Sequence, residues 1–139
     1  DYMALNFYVV GRYEDFALRF TLRPKALLEV KYVKPLAVTE FGIATRNEKL
    51  RHKYLCAMAN IFQEAKPVAA IWWSFLHGYE WGLGYQPFFA LVDVKGSRRV
   101  PTPLAFKFRD TLKNPPRCQL DEVDLGPEWR WEAPVEGGS

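Results

Sequence analysis

Residues 67–94 read PVAAIWWSFLHGYEWGLGYQPFFALVDV. The run VAAIWWSF, set off by Pro67, is apolar without alternation, the pattern of a short strand buried in a parallel sheet. Trp72 and Trp73 are adjacent and therefore point to opposite faces of that strand, with Trp72 assigned to the core. The Gly- and aromatic-rich stretch HGYEWGLGYQP reads as a loop, and FFALVDV as an outer strand or extended turn beyond it.

Upstream, Leu50, Tyr54, Ala57, Met58, Ile61 and Ala65 recur at three- and four-residue steps, which predicts an amphipathic helix over residues 47–65. Asn47 suits its N-cap, Glu48 its positive N-terminal end, and Pro67 its stop. Before it, LAVTE after Pro35 reads as a second short buried strand, and Pro24 opens a short helix over residues 25–30. YMALNFYVV, residues 2–10, is the first strand, followed from Gly11 by a mixed segment.

Downstream, Lys95, Gly96 and Ser97 form a turn, Arg98 and Arg99 belong to its solvated side, and PTPLAFKFRDTL closes the pattern as a helix. Residues 114–139 combine Pro, Gly and acidic residues without an apolar period and read as an irregular tail, in which Trp129 and Trp131 are the residues able to dock on the body. Strand and helix thus alternate three times, the order of a parallel α/β structure, and no internal repeat is visible.

Composition narrows the function classes. Apolar residues make up 49% and charged residues 25% of the 139, a globular profile, and no apolar run is long enough for a transmembrane helix. The net charge of +3 is spread along the chain instead of forming a basic stripe, which argues against nucleic-acid binding. Cys56 and Cys118 form no C-x-x-C pair, so they imply neither a disulfide framework nor a zinc site, and they favour a reducing, cytoplasmic compartment. The chain begins at Asp1 without an initiator Met or signal-peptide pattern, as expected of a processed start or a sequence that begins mid-protein.

Residues able to carry chemistry cluster at strand ends and in the aromatic loop. Glu40 ends the second strand. Asn6 and Tyr8 share one face of the first by the two-residue period. Glu80 and Trp81 place an acid beside an aromatic in a Gly-rich loop, a way to hold the polar and apolar faces of one ligand together. His77 receives no role, and His52 falls on the polar side of the long helix. No metal or cofactor site is expected.

Three blocks carry a family resemblance. DYMALNFYVVGRY is similar to the sixth-strand pattern of family 1 glycoside hydrolases, the β-glucosidase and β-galactosidase family built on a TIM barrel, with Phe7 in place of the middle Tyr of Asn-Tyr-Tyr. KPLAVTEFGIA resembles the seventh-strand pattern P-[IL]-x-[IV]-T-E-N-G, with Phe41 where the family has Asn. WWSFLHGYEWGLGYQPFFALVDV resembles W-S-L-L-D-N-[FY]-E-W-x-x-G-Y-x-x-R-F-G-L-V-x-V-D, with His77-Gly78 for Asp-Asn and Phe88 for Arg. The likeness continues through RRVPTPLAFKFRDTL, so it covers residues 1–113 and leaves 114–139 as the tail. Fewer residues separate the first two blocks than is usual in the family, which implies shortened loops around the site.

The resemblance implies a partial (β/α)8 barrel of about three βα units, strands six to eight. It makes Glu40 the nucleophile and Tyr8 the hydroxyl that orients it, with Asn6, Trp73, Glu80 and Trp81 as substrate-binding residues. Retaining hydrolysis needs a second carboxyl about 5 to 5.5 Å from the first. The family's acid/base Glu lies in a T-x-N-E strand end, and no such motif occurs in this sequence. The expected function is therefore the nucleophile-bearing part of a retaining β-glycosidase acting on β-glucosides or β-galactosides, inactive alone and completed by a companion chain or missing N-terminal half. The alternative is a non-catalytic carbohydrate-binding or structural subunit derived from that fold.

Overall fold

The computed structural model describes residues 1–8, 10–14, 17–118 and 123–124, with backbone alone over 10–14, 17–22 and 123–124. In chain order the elements are β1 (Met3–Phe7), β2 (Val10–Glu14), β3 (Ala17–Leu22), α1 (Ala26–Glu29), β4 (Leu36–Phe41), α2 (Glu48–Ala65), β5 (Ala69–Trp72), β6 (Val92–Lys95), β7 (Arg98–Pro101), α3 (Pro103–Lys113) and β8 (Val123–Asp124). The three apolar runs named above become a parallel sheet of order β1-β4-β5, so the α/β class is as expected.

Alternation sorts the two faces of this sheet. Leu36 and Val38 of β4 and Trp72 of β5 turn inward onto α2 and α3, where they join Leu27, Tyr54, Leu55, Met58, Ile61 and Leu104 in the core. Ala4 and Asn6 of β1, Thr39 of β4, and Ala69 and Ile71 of β5 lie exposed on the other face. Among the described residues, β1 and β5 pair with a parallel strand on one side only. Parallel sheets are ordinarily covered on both faces, so this one has the form of an arc cut from a closed barrel.

The long helix forms where its period and caps place it. The Asn47 side chain accepts from the Leu50 N–H at 3.2 Å, and Lys66 ends the helix in a left-handed conformation, its N–H donating to the Phe62 carbonyl at 2.9 Å. The buried stripe adds Arg51 and Leu55 to the residues expected from periodicity. His52 is half-exposed and faces Glu48 one turn away.

Several expectations are corrected. Residues 2–10 do not form one strand: β1 ends at Phe7, and the segment that looked mixed is an antiparallel β2–β3 pairing with Val10 opposite Thr21 and Glu14 opposite Ala17. Arg98 and Arg99 are not merely a solvated turn; they begin β7, which pairs with β6 across a turn where Gly96 takes a positive φ of 60°. In the tail, Val123 and Asp124 pair with β3 as β8, while residues 119–122 and 125–139, including Trp129 and Trp131, lie outside the described residues.

Cys56 and Cys118 are joined in a disulfide, contrary to the sequence expectation, with their Cα atoms 6.1 Å apart. Their 62-residue separation conceals the meeting, because it arises only when the chain leaving α3 passes across α2. Asn60 fastens the same crossing, donating to the carbonyls of Cys56 at 2.8 Å and Pro116 at 2.9 Å. Disulfides persist in oxidising compartments, so the cysteines no longer argue for a reducing one. The denatured, unreduced protein is expected to show no titratable thiol. Cys118→Ser should lower stability in urea by about 2–4 kcal/mol; two free thiols in the native chain would refute the pairing.

Candidate active site

The site begins with a break in register. Leu5 pairs with Val38, but Asn6 pairs with Glu40, so β4 carries one extra residue, Thr39, at its end. In a regular strand Thr39 and Glu40 would face opposite ways; a bulge re-aims one of them. Both side chains consequently reach β1: Thr39 donates from its hydroxyl to Asn6 Oδ1 at 2.7 Å, and the Tyr8 hydroxyl donates to Glu40 Oε2 at 2.5 Å. Burial, followed by the hydrogen bond to Glu40 and the charges of Glu40 and Glu80, pushes the Tyr8 hydroxyl far above its ordinary pKa, so it stays a proton donor.

Trp73 and Glu80 form the neighbouring part. The Trp73 indole N–H donates to Glu80 Oε1 at 2.9 Å, and its backbone N–H donates to the Phe41 carbonyl at 2.8 Å, which holds the start of the aromatic loop against the end of β4. Close approach at this joint requires Gly42, because a Cβ there would overlap the Trp73 carbonyl oxygen. The Trp73–Ser74 peptide is cis. Trp81 sits in a 3-10 turn with 86% of its surface exposed and, among the described residues, has no side-chain hydrogen bond or ring contact with the other five predicted site residues.

The structure thus brings together Asn6, Tyr8 and Glu40, sets Trp73 and Glu80 beside them, and leaves Trp81 at the rim. Sequence reading missed Thr39, Gly42 and Phe89. The Phe89 ring packs edge-on against Tyr8, with centroids 5.8 Å apart, and closes the site from the far leg of the aromatic loop. All three stand inside the quoted blocks, but two-residue alternation puts Thr39 and Glu40 on opposite faces, and only the bulge brings both to the same one.

The departures from the family pattern also find their places. Phe41 is buried on the helix side against Phe62, Trp72 and Tyr54, turned away from the Glu40 carboxylate. His77 and Phe88, which stand where the pattern has Asp and Arg, touch each other with ring centroids 5.1 Å apart. Arg46 lies 3.9 Å over the Phe88 ring and pairs with Asp93 at 3.1 Å. Burial alone would raise the Asp93 carboxyl pKa; the hydrogen bonds from Arg46 and the Val94 N–H, with the Arg46 charge, outweigh it and lower it below 3.8. Among the described residues no group of three or more His, Cys, Asp or Glu side chains could hold a metal ion.

No family model matches the sequence, and no curated protein matches it significantly. Solved structures do. A β-glucosidase from Thermotoga maritima in complex with glucoimidazole superposes with a TM-score of 0.64 at 23% identity, over 84% of this chain and 35% of that one. The apo structure of β-glucosidase 1317 gives 0.56 at 29% identity, over 67% and 27%. The family 1 β-glucosidase from Exiguobacterium antarcticum B7 gives 0.62 at 16%, over 81% and 34%. This chain therefore has the α/β fold of part of a β-glucosidase TIM barrel, and it spans only 27% to 35% of the length of those three proteins.

Gly42→Ala is expected to destabilise the chain by about 1–3 kcal/mol through overpacking, read as a lower urea midpoint; an unchanged midpoint would mean the joint is looser than described. Asp93 supplies the pH dependence. Because its folded pKa lies below its unfolded value, its contribution is present above about pH 4 and is lost as pH falls through the folded pKa. Asp93→Asn should flatten this acid limb in thermal melts from pH 2 to 6, whereas a limb as steep as in the parent would place its origin elsewhere.

Proposed function

We propose that this chain is the nucleophile-bearing part of a retaining β-glycosidase of family 1 type, its β1, β4 and β5 corresponding to the sixth, seventh and eighth barrel strands. The observation that carries the reading is the Tyr8–Glu40 hydrogen bond at the C-terminal end of a parallel strand, beside the Trp73–Glu80 pair, in a fold shared with β-glucosidases. Active sites of such barrels are built at that end of the strands.

In this reading Glu40 attacks the anomeric carbon of a β-linked glucoside or galactoside and forms the covalent glycosyl intermediate. Tyr8 directs the carboxylate by its hydroxyl proton. Glu80 accepts sugar hydroxyls, Trp73 and Trp81 offer apolar faces, and Asn6, held by Thr39, lines the floor. Proton donation to the leaving oxygen falls to a carboxyl outside this sequence. The face and the two edges of the sheet that are left open among the described residues are where the rest of a barrel would join, and exposed Ile71 is one of the apolar residues it would cover.

The test uses a 2,4-dinitrophenyl 2-deoxy-2-fluoro-β-glucoside, whose leaving group departs without protonation. Peptide mapping should find the sugar on Glu40 when the missing barrel half is supplied. Labelling elsewhere, or none, would remove the nucleophile assignment and leave the non-catalytic carbohydrate-binding or structural reading.

A further inference from the structure

Two polar side chains on the buried face of α2 lie behind the candidate site, and their polar ends are not needed to fill the core. Arg51 is fully buried, and Tyr54, one turn later, is 1% exposed. The Tyr54 ring packs on Phe41 and Trp72, a role that Phe would serve as well. Its hydroxyl has a distinct partner: it accepts from the Gly42 N–H at 3.1 Å. Ladder pairing of β4 with both neighbours ends at Phe41, so this buried N–H, two residues beyond Glu40, depends on Tyr54.

Arg51 binds the segments on either side. Its guanidinium donates to the Thr45 carbonyl at 3.3 Å, in the loop leaving Glu40, and to the Ala90 carbonyl at 2.5 Å, in the leg returning from the Trp73–Glu80 loop. It also reaches the Thr102 hydroxyl at 3.3 Å, ahead of α3. Burial lowers its pKa to about 10, an effect that nearby Glu48 opposes, so it remains charged at neutral pH. The Thr45 N–H donates to the Phe88 carbonyl at 3.0 Å, closing the lacing between the two loops.

We infer that Tyr54 is a positioning residue for Glu40: its hydroxyl fixes the Phe41–Gly42 backbone and thereby the angle at which the carboxylate meets Tyr8, while Arg51 fixes the spacing between Glu40 and the Trp73–Glu80 loop. Gly42 cannot relax freely toward the aromatic loop, because the Trp73 carbonyl stands against it. Displacement at Gly42 is instead passed back through Phe41 to Glu40. The catalytic consequence rests on the function proposed above; the geometric claim does not.

The experiment compares the full chain with Tyr54→Phe, which removes one oxygen and keeps the ring. Amide exchange at Gly42 should accelerate about tenfold, relative to Val92, as its buried partner is lost. The Tyr8 Cζ resonance should move toward its position in Glu40→Gln, a signature that a purely structural Tyr54 would not produce. Unchanged Gly42 exchange would overturn the inference, and so would faster exchange with Tyr8 unmoved. If Tyr54→Phe does not fold, 3-fluorotyrosine at position 54, a weaker acceptor in the same ring, carries the same two readouts. With the barrel completed, Tyr54→Phe should also slow labelling of Glu40 by the dinitrophenyl 2-fluoroglucoside about tenfold. If Gly42 and Tyr8 respond while Glu40 takes no label in the parent, the positioning role stands and the glycosidase reading falls.

Discussion

One extra residue in β4 organises the structure. Up to Val38 the strand alternates regularly; Thr39 then opposes no residue of β1, and everything after it is shifted by one. Thr39 and Glu40 both reach β1, and Phe41 drops into the helix-side core against Phe62 and Trp72. Without the bulge, strict alternation would set Glu40 on the helix side with Val38, where an unpaired carboxylate is costly, and would turn a Phe toward the open face. The bulge therefore serves the core and the site at once.

From that point outward, support comes from behind the sheet. α2 supplies apolar side chains to the back of β4 and β5, and Arg51 and Tyr54 to the loops that leave them. The aromatic loop is fastened at both legs, by the Trp73 N–H to Phe41 at its start and by the Leu91 N–H to Ser74 at its return. The disulfide and Asn60 then tie the chain leaving α3 across α2. The opposite face has no comparable cover among the described residues, so stabilising contacts lie on one side of the sheet and the candidate site residues on the other.

The positions at which the sequence differs from the pattern it resembles are not scattered through the structure. Phe41 is absorbed by the core. His77 and Phe88 replace an Asp and an Arg with two rings in contact, and Arg46 covers the outer side of Phe88 while binding Asp93. Cation–π and aromatic contacts thus join Arg46, Phe88 and His77 into one cluster beside Asp93.

Elements whose information is local were legible in the sequence. Unbroken apolar runs marked the three parallel strands, Asn47, Pro67 and the three-to-four period marked α2, and the motif blocks picked out Glu40, Tyr8, Trp73 and Glu80 as candidates. What depends on distant partners came only with the folded structure: the bulge at Thr39, visible only against the register of β1; the Cys56–Cys118 bond, which needs the chain leaving α3 to cross α2; and the burial of Arg51, whose acceptors belong to three other segments. Periodicity reports which face of an element is apolar, but a charged or polar side chain is buried only where folding brings acceptors to it, and those acceptors leave no mark on the local pattern.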